Sequence, residues 1–142
     1  MNSQEALATQ LRAMLKKAER ALRAARRHLA EGEHDFASSK AYYAVFHMMQ
    51  AALLTKGMTF GKHAGVISGF SQQFIKSGVF PAAFSDDVQR LRKNRELGDY
   101  GYSLTVDVDA AHGDLERATT IVQAVQRYVQ SCISLTTKGA LK

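Results

Sequence analysis

SSKAYYAVFHMMQAALL, residues 38–54, predicts a helix whose apolar side chains occur on nearly every side. Asp35, just upstream, has a carboxylate that can cap free amide groups at the start of this helix, and Gly57 marks its end. A helix that is apolar all round is normally surrounded by neighbouring helices. We therefore expect this segment either at the centre of a helical bundle or buried at a subunit interface.

The segment before it has the pattern of an amphipathic helix that ends near Gly32. Its apolar residues recur at steps of three or four, at Leu7, Leu11, Met14, Ala18, Leu22, Ala25 and Leu29. The opposite face is basic and carries Arg12, Lys16, Arg20, Arg23 and Arg27. This face is compatible with an RNA-binding track, but a solvated face beside a buried stripe is the simpler interpretation.

Three further helices are predicted downstream, over about residues 63–76, over about residues 82–97 after Pro81, and from Val108 onward, with a loop over residues 98–107. No strand-like alternation is long enough to suggest a sheet. The sequence thus predicts an all-α fold, an antiparallel up-and-down bundle of four to five helices. We expect residues 1–135 to form a single domain and residues 136–142 to form a flexible tail.

Composition narrows the classes of protein that this chain can represent. Its 142 residues, 46% hydrophobic and 23% charged, suit one globular domain, and a formal charge of +6 favours a polyanionic partner such as RNA or an acidic protein. Cys132 has no partner cysteine, so we expect a reducing, cytoplasmic location. No apolar stretch suggests a signal peptide or membrane insertion. The five histidines show no recognised metal-ligand spacing, so neither a metal nor a cofactor is predicted.

Three segments carry a resemblance to a known family: SSKAYYAVFHMMQAALL at 38–54, GKHAGVISGFSQQFIKSG at 61–78, and RELGDYGYS at 95–103. In this order and spacing they resemble the HEPN domain, in the prokaryotic branch often encoded beside a minimal nucleotidyltransferase. The resemblance covers about residues 18–128. It implies a HEPN-like bundle that forms a homodimer, with a cleft between the subunits where the arginine-bearing motifs of both chains meet.

Many members of this family are metal-independent ribonucleases that act as toxins in toxin–antitoxin pairs. Their motif is an arginine followed, after four to six residues, by a histidine. In one subgroup the partner nucleotidyltransferase modifies a tyrosine two positions beyond that histidine with AMP. By resemblance, Arg95 matches the arginine, Tyr100 stands where the histidine would be, and Tyr102 falls on the position of the modified tyrosine.

Arg95 is the strongest candidate for a functional residue because it continues the apolar stripe of Phe84, Val88 and Leu91. A guanidinium aimed into a partly dry cleft can grip two phosphate oxygens and stabilise the charge that develops during phosphodiester cleavage. The structural alternative is an arginine that is oriented or neutralised by Asp99, four residues further on.

The other candidates concern proton transfer and modification. Tyr100 is a weaker acid or base than histidine at neutral pH, although it can donate a proton or orient a phosphate. Tyr102 is the candidate AMP acceptor, and its alternative is a packing residue. His47 and His63 can supply proton transfer if the fold brings either near Arg95, but a structural role is simpler for both. Tyr42 and Phe46, like His47, are most simply explained as core packing.

The leading functional hypothesis is the HEPN member of a toxin–antitoxin pair that cleaves RNA at the Arg95 cleft, with a minimal nucleotidyltransferase as its partner. A second hypothesis is a non-catalytic module that binds a nucleotide or the nucleotidyltransferase. A third is a helical adaptor whose only role is dimerisation. The replacement of the motif histidine by Tyr100 is the feature that separates the first hypothesis from the second.

Overall fold

The computed structural model describes residues 2–100 and 106–140, and it describes the side chains of residues 2–99 and 106–136. Within these ranges the chain forms five α-helices. They are α1 (Ser3–Ala30), α2 (His34–Leu54), α3 (His63–Phe70), α4 (Ala83–Tyr100) and α5 (Val108–Ala140). Within these ranges no residue belongs to a strand. The predicted all-α helical bundle is therefore confirmed.

Helix α2 lies at the centre of this bundle and packs against all four other helices. Both Met48 and Met49 are fully buried, although they are adjacent and point to different sides of the helix. Burial of a side chain of this size contributes roughly 1.5–3 kcal/mol, so a helix that is covered on every side supplies much of the stability of the fold. The pattern of residues 38–54 is thus explained by packing within one chain.

Helix α1 buries the stripe that its sequence predicts, and the Asn2 side chain caps it by accepting a 2.7 Å hydrogen bond from the backbone N–H of Glu5. The predicted cations on the opposite face are all exposed, namely Arg12, Lys16, Arg20, Arg23 and Arg27. Exposure of these side chains fits both interpretations of the basic face.

Helix α3 continues without a break into a π-helical turn, Ser71–Ile75, in which the N–H of Lys76 donates to the carbonyl of Ser71 at 2.9 Å. The predicted extent of this helix is close to what is observed, but the change from α to π geometry was not predicted. Around this turn, the rings of Phe74, Phe70, Phe80 and Phe84 stack in that order, and Tyr128 of α5 contacts Phe80 edge-on.

Two predictions about helix ends are wrong. Asp35 does not cap α2: the cap position is Glu33, whose side chain makes no capping bond, and Asp35 accepts instead from the N–H of Phe36 inside the first turn. Gly98 does not begin a loop, because α4 continues to Tyr100. A Cβ at Gly98 would lie 2.9 Å from the Asp35 carbonyl oxygen, so this glycine lets α4 approach the start of α2.

Helix α5 runs to Ala140, five residues into the segment where we expect a flexible tail, and the domain boundary at residue 135 stays a prediction. Over the described ranges, no helix combines the length and apolar character needed to cross a membrane.

Candidate functional site

Arg95 lies on the inner face of α4 and is only 9% exposed. Its guanidinium carbon is 5.0 Å from the centroid of the Tyr42 ring and 5.8 Å from that of Tyr43, both on α2. One terminal nitrogen is 3.5 Å from a carboxylate oxygen of Asp99. The arginine is therefore held between two aromatic rings and one carboxylate, which restricts its planar fork to one orientation.

The Nε atom of Arg95 is buried, and no described residue accepts a hydrogen bond from it. An unpaired buried donor costs about 1–3 kcal/mol, more when it is charged, so proteins rarely keep one without a use. Burial by itself would lower the pKa of Arg95, but Tyr43, Tyr42 and Asp99 outweigh it and raise the pKa. Among the described residues, the site thus presents a positive charge whose Nε–H has no acceptor, which suits an anionic ligand.

His63, the first residue of α3, joins this group through Tyr42. The Tyr42 hydroxyl and His63 Nδ1 are 2.9 Å apart, and the imidazole stacks on Phe46 with 4.1 Å between the ring centroids. Burial, together with the nearby charges of Arg95 and Arg92, lowers the pKa of His63. The imidazole is therefore neutral at physiological pH, the form that can accept a proton.

Tyr42 itself is fully buried. Burial raises its pKa, although the charges of Arg95 and Arg92 oppose the change, so the phenol keeps its proton at neutral pH. When the hydroxyl donates to Nδ1, Nε2 of His63 carries the ring proton; when Nδ1–H donates to the phenol oxygen, Nε2 is a free base. Tyr42 therefore fixes the ring in place while either tautomer remains possible.

The structure brings together three of the predicted site residues, Arg95, Asp99 and His63. The pairing of Arg95 with Asp99, proposed as the structural alternative, is present alongside the aromatic contacts. His47 is placed differently: it contacts Tyr43, and its Nδ1 is 3.4 Å from Gln50. The backbone of Tyr100 lies in the last turn of α4, but its side chain and the whole of Tyr102 are outside the described residues.

Sequence reasoning missed Tyr42, which it assigned to core packing. Its position on a helix that is apolar all round favoured that assignment. The hydroxyl group of Tyr42 could have drawn attention to it, because a buried tyrosine usually needs a hydrogen-bond partner. The partner in the structure is His63, which lies outside α2.

A second missed residue, Asp114 of α5, organises a buried polar network beside this site. It is fully buried, accepts a hydrogen bond from the Ser38 hydroxyl at 2.9 Å, and accepts two from the Asn94 amide at 3.0 and 2.9 Å. Arg117 lies 3.6 Å from the same carboxylate. Ser38 precedes Tyr42 by one helical turn and Asn94 precedes Arg95 directly, so Asp114 connects the two helices that carry the site. Asp114 lies on the apolar stripe of α5, so the sequence could have indicated it as it indicated Arg95, by a charged residue at an apolar position.

Three residues at the α1–α2 turn, His28, Glu31 and Glu33, present ligand atoms that all lie within 4.8 Å of one another. Sequence spacing gave no sign of this group. A 3.1 Å hydrogen bond between His28 and Glu33 accounts for its geometry, and this bond is the main reason why the pKa of Glu33 is lowered.

Comparison with known proteins identifies the family to which this chain belongs. The model of the HEPN domain matches residues 11–131, and the chain therefore belongs to the HEPN domain family. A UPF0332 protein of Thermotoga maritima is 29% identical over 94 residues, which span 66% of this chain and 71% of that protein. A Methanocaldococcus jannaschii protein, named as a candidate toxin, is 27% identical over 122 residues, or 86% of this chain and 83% of that protein.

The fold is also similar to a solved structure. The crystal structure of TT1696 from Thermus thermophilus superimposes with a TM-score of 0.71, covering 83% of this chain and 97% of that one. The sequence identity is 18%, so this likeness concerns the fold.

Proposed function

We propose that this chain is a HEPN toxin of a toxin–antitoxin pair that cleaves RNA without a metal ion at Arg95. The observation that carries the proposal is the buried Arg95 guanidinium, whose Nε–H has no acceptor among the described residues, next to the hydrogen-bonded Tyr42–His63 pair. Membership of the HEPN family and the name of the M. jannaschii relative support a toxin-like role.

The arrangement fits transesterification by the ribose 2′-hydroxyl. His63 Nε2 takes the proton of the 2′-hydroxyl as its oxygen forms a bond to phosphorus, and the P–O5′ bond breaks as the 5′-oxygen gains a proton. Arg95 stabilises the negative charge on the non-bridging phosphate oxygens. The products are a 2′,3′-cyclic phosphate and a 5′-hydroxyl.

The two proton transfers of this reaction require two groups, one to accept and one to donate. A homodimer with Arg95 at the cleft supplies two copies of His63, and Tyr100, at the family's histidine position, is a further proton donor or phosphate-orienting group. Sedimentation of the purified chain at twice the monomer mass is the expected result. A strict monomer that still cleaves RNA would remove the dimer from the proposal.

The decisive experiment compares RNA cleavage by wild type, Arg95→Ala and His63→Ala in the presence of a chelator. Lys93→Ala is the matched control, because Lys93 is an exposed cation of the same helix. We expect wild type and the control to yield cyclic-phosphate ends, and both site variants to lose at least about a hundredfold in rate, the typical contribution of one such group. Intact RNA with the wild-type protein would refute ribonuclease activity.

The proposal extends to a partner: a minimal nucleotidyltransferase that transfers AMP from ATP to the Tyr102 hydroxyl with release of pyrophosphate. The AMP group adds a bulky anion to the segment that follows Arg95, where it competes with an RNA phosphate. Mass spectrometry after incubation with the cognate nucleotidyltransferase and ATP should find one AMP on Tyr102. Tyr102→Phe is the control, and an unmodified wild-type Tyr102 would exclude this regulation.

A second candidate function is a non-catalytic module that holds a nucleotide at the same arginine. The presence of Tyr100 at the position of the motif histidine favours it, because a phenol near pKa 10 transfers protons poorly at neutral pH. Tyr100→His separates the two candidates: an inactive wild type that gains cleavage on this change is a binding module, whereas a wild type that already cleaves is an enzyme.

A further inference from the structure

A groove of about 420 Å³ lies between α1 and α2, next to the candidate site. From α1 it is lined by Lys17, Arg20, Ala21 and Ala24, and from α2 by Lys40, Tyr43 and His47. On each helix these residues recur at spacings of three and four, with Arg20 and Ala21 side by side on α1, so they form two facing stripes. The two alanines carry only methyl groups, which leaves the space between the longer side chains open.

The charge of this groove is uniformly positive. Its three cations, Lys17, Arg20 and Lys40, are exposed, and no carboxylate is among the lining residues. Over the described residues none of the three forms an ion pair. A neighbouring groove between α1 and α5 differs, because Glu19 lies there with Arg12 and Lys16.

Tyr43 connects the groove to Arg95. It lines the groove and its ring centroid is 5.8 Å from the Arg95 guanidinium. Edge-on contacts with Tyr42 and Phe46 fix the ring, so it forms a rigid wall between the two charged regions. Cations along a groove with a fixed aromatic ring are the usual means of holding single-stranded nucleic acid.

We propose that the groove lined by Lys17, Arg20, Lys40, Tyr43 and His47 binds the phosphodiester backbone of single-stranded RNA and leads it past Tyr43 to Arg95. This inference rests on the proposed function, for which it names the substrate track. Of the cations on the basic face of α1, Arg20 binds the RNA together with Lys17, whereas Arg12 and Lys16, which line the neighbouring groove, do not. A polyanion whose charge repeats at every nucleotide can occupy the groove and the arginine together, which favours RNA over an acidic protein surface.

The test measures binding of a fluorescent single-stranded 2′-O-methyl oligoribonucleotide, which lacks the attacking hydroxyl and therefore reports binding independently of cleavage. The groove variant is Lys17→Gln with Lys40→Gln, and the matched control is Arg12→Gln with Lys16→Gln, which removes the same charge from the adjoining groove. We expect the groove variant to bind several-fold more weakly and to reduce the slope of log affinity against log salt by about 1.4, or about 0.7 for each lost phosphate contact. Helicity by circular dichroism should be unchanged in both.

Each outcome has one meaning. If both double variants lose RNA affinity equally, the effect is one of net charge and the proposal is overturned. If the wild-type protein does not bind the oligoribonucleotide at all, the proposal is overturned as well. Unchanged RNA affinity with lost binding of the nucleotidyltransferase also overturns it and assigns the groove to a protein partner. If the groove variant alone weakens binding but wild type leaves ordinary RNA intact, the track stands and ribonuclease activity fails.

Discussion

Among single residues, Arg95 influences its surroundings most directly through its charge. The pKa of His63 is lowered first by burial and then by the positive charges of Arg95 and Arg92, which disfavour a second cation nearby. The charge of Arg95 therefore adds to the effect of burial, and both lower the pKa of His63 and favour its neutral imidazole.

Arg95→Gln should raise the pKa of His63 towards its ordinary value of 6.5, since the variant removes a charge that opposes protonation. The change is measurable by NMR titration of the His63 ring and requires no catalytic activity. Lys93→Gln, which removes an exposed charge from the same helix, should leave the titration where it is. A His63 pKa that stays fixed or falls in Arg95→Gln would show that the arginine does not control the imidazole.

The sequence could predict those site residues that lie on the regular apolar stripe of a helix. Arg95 is recognisable because it interrupts an apolar period, and Asp99 was named as its partner because it is an acid four residues further on. Tyr42 and Asp114 were missed because their partners are distant along the chain: His63 is 21 residues from Tyr42, and Asp114 is 76 residues from Ser38. Such pairings depend on how the helices pack, which a periodic pattern does not specify.

For helices, the predictions succeeded where burial dominates and failed where backbone contacts decide. Helix α2 is apolar on nearly every side, and the other four helices of the bundle cover it. The end of α4 was predicted too early because glycine was taken as a stop, whereas Gly98 is needed inside the helix for close contact with the backbone of Asp35.

Two glycine substitutions distinguish a close helix contact from ordinary helix propensity. Gly98→Ala should reduce the free energy of unfolding by about 1–3 kcal/mol, since the added Cβ meets a backbone oxygen that cannot move aside. Gly113→Ala in α5 meets the end of the flexible Arg117 side chain, whose displacement weakens its long ion pairs with Asp114 and Asp87. Because alanine favours a helix over glycine by about 0.5–1 kcal/mol, the two effects oppose each other and the net change should be small. Urea denaturation of both variants checks the pair. A Gly98→Ala protein as stable as wild type would rule out the tight α2–α4 contact.

At the scale of the whole molecule, Asp114 couples stability to pH because it connects α2, α4 and α5. Burial raises its pKa above the ordinary value of 3.8, although bonds from Asn94 and Ser38 and the charge of Arg117 oppose the change. Between 3.8 and the raised value, the folded protein binds more protons than the unfolded chain. Its contribution to stability therefore increases as pH falls through this range and is lost as pH rises.

Asp114→Asn removes this titration while keeping the size of the side chain. We expect the free energy of unfolding of wild type, relative to the variant, to increase from about pH 7 to about pH 4. Urea unfolding at several pH values measures this difference, and the subtraction cancels the other titrating groups. A difference that is constant or decreases towards acid would contradict the raised pKa.

The dependence of the site on α5 also has a consequence for when the site is assembled during synthesis. Arg95, Tyr42 and His63 all precede α5 in the chain, but Asp114 on that last helix holds the residues that flank Tyr42 and Arg95. A nascent chain from which α5 has not yet emerged thus carries these side chains before Asp114 can connect their helices. We expect the Arg95 site to assemble only after α5 has docked against α2 and α4.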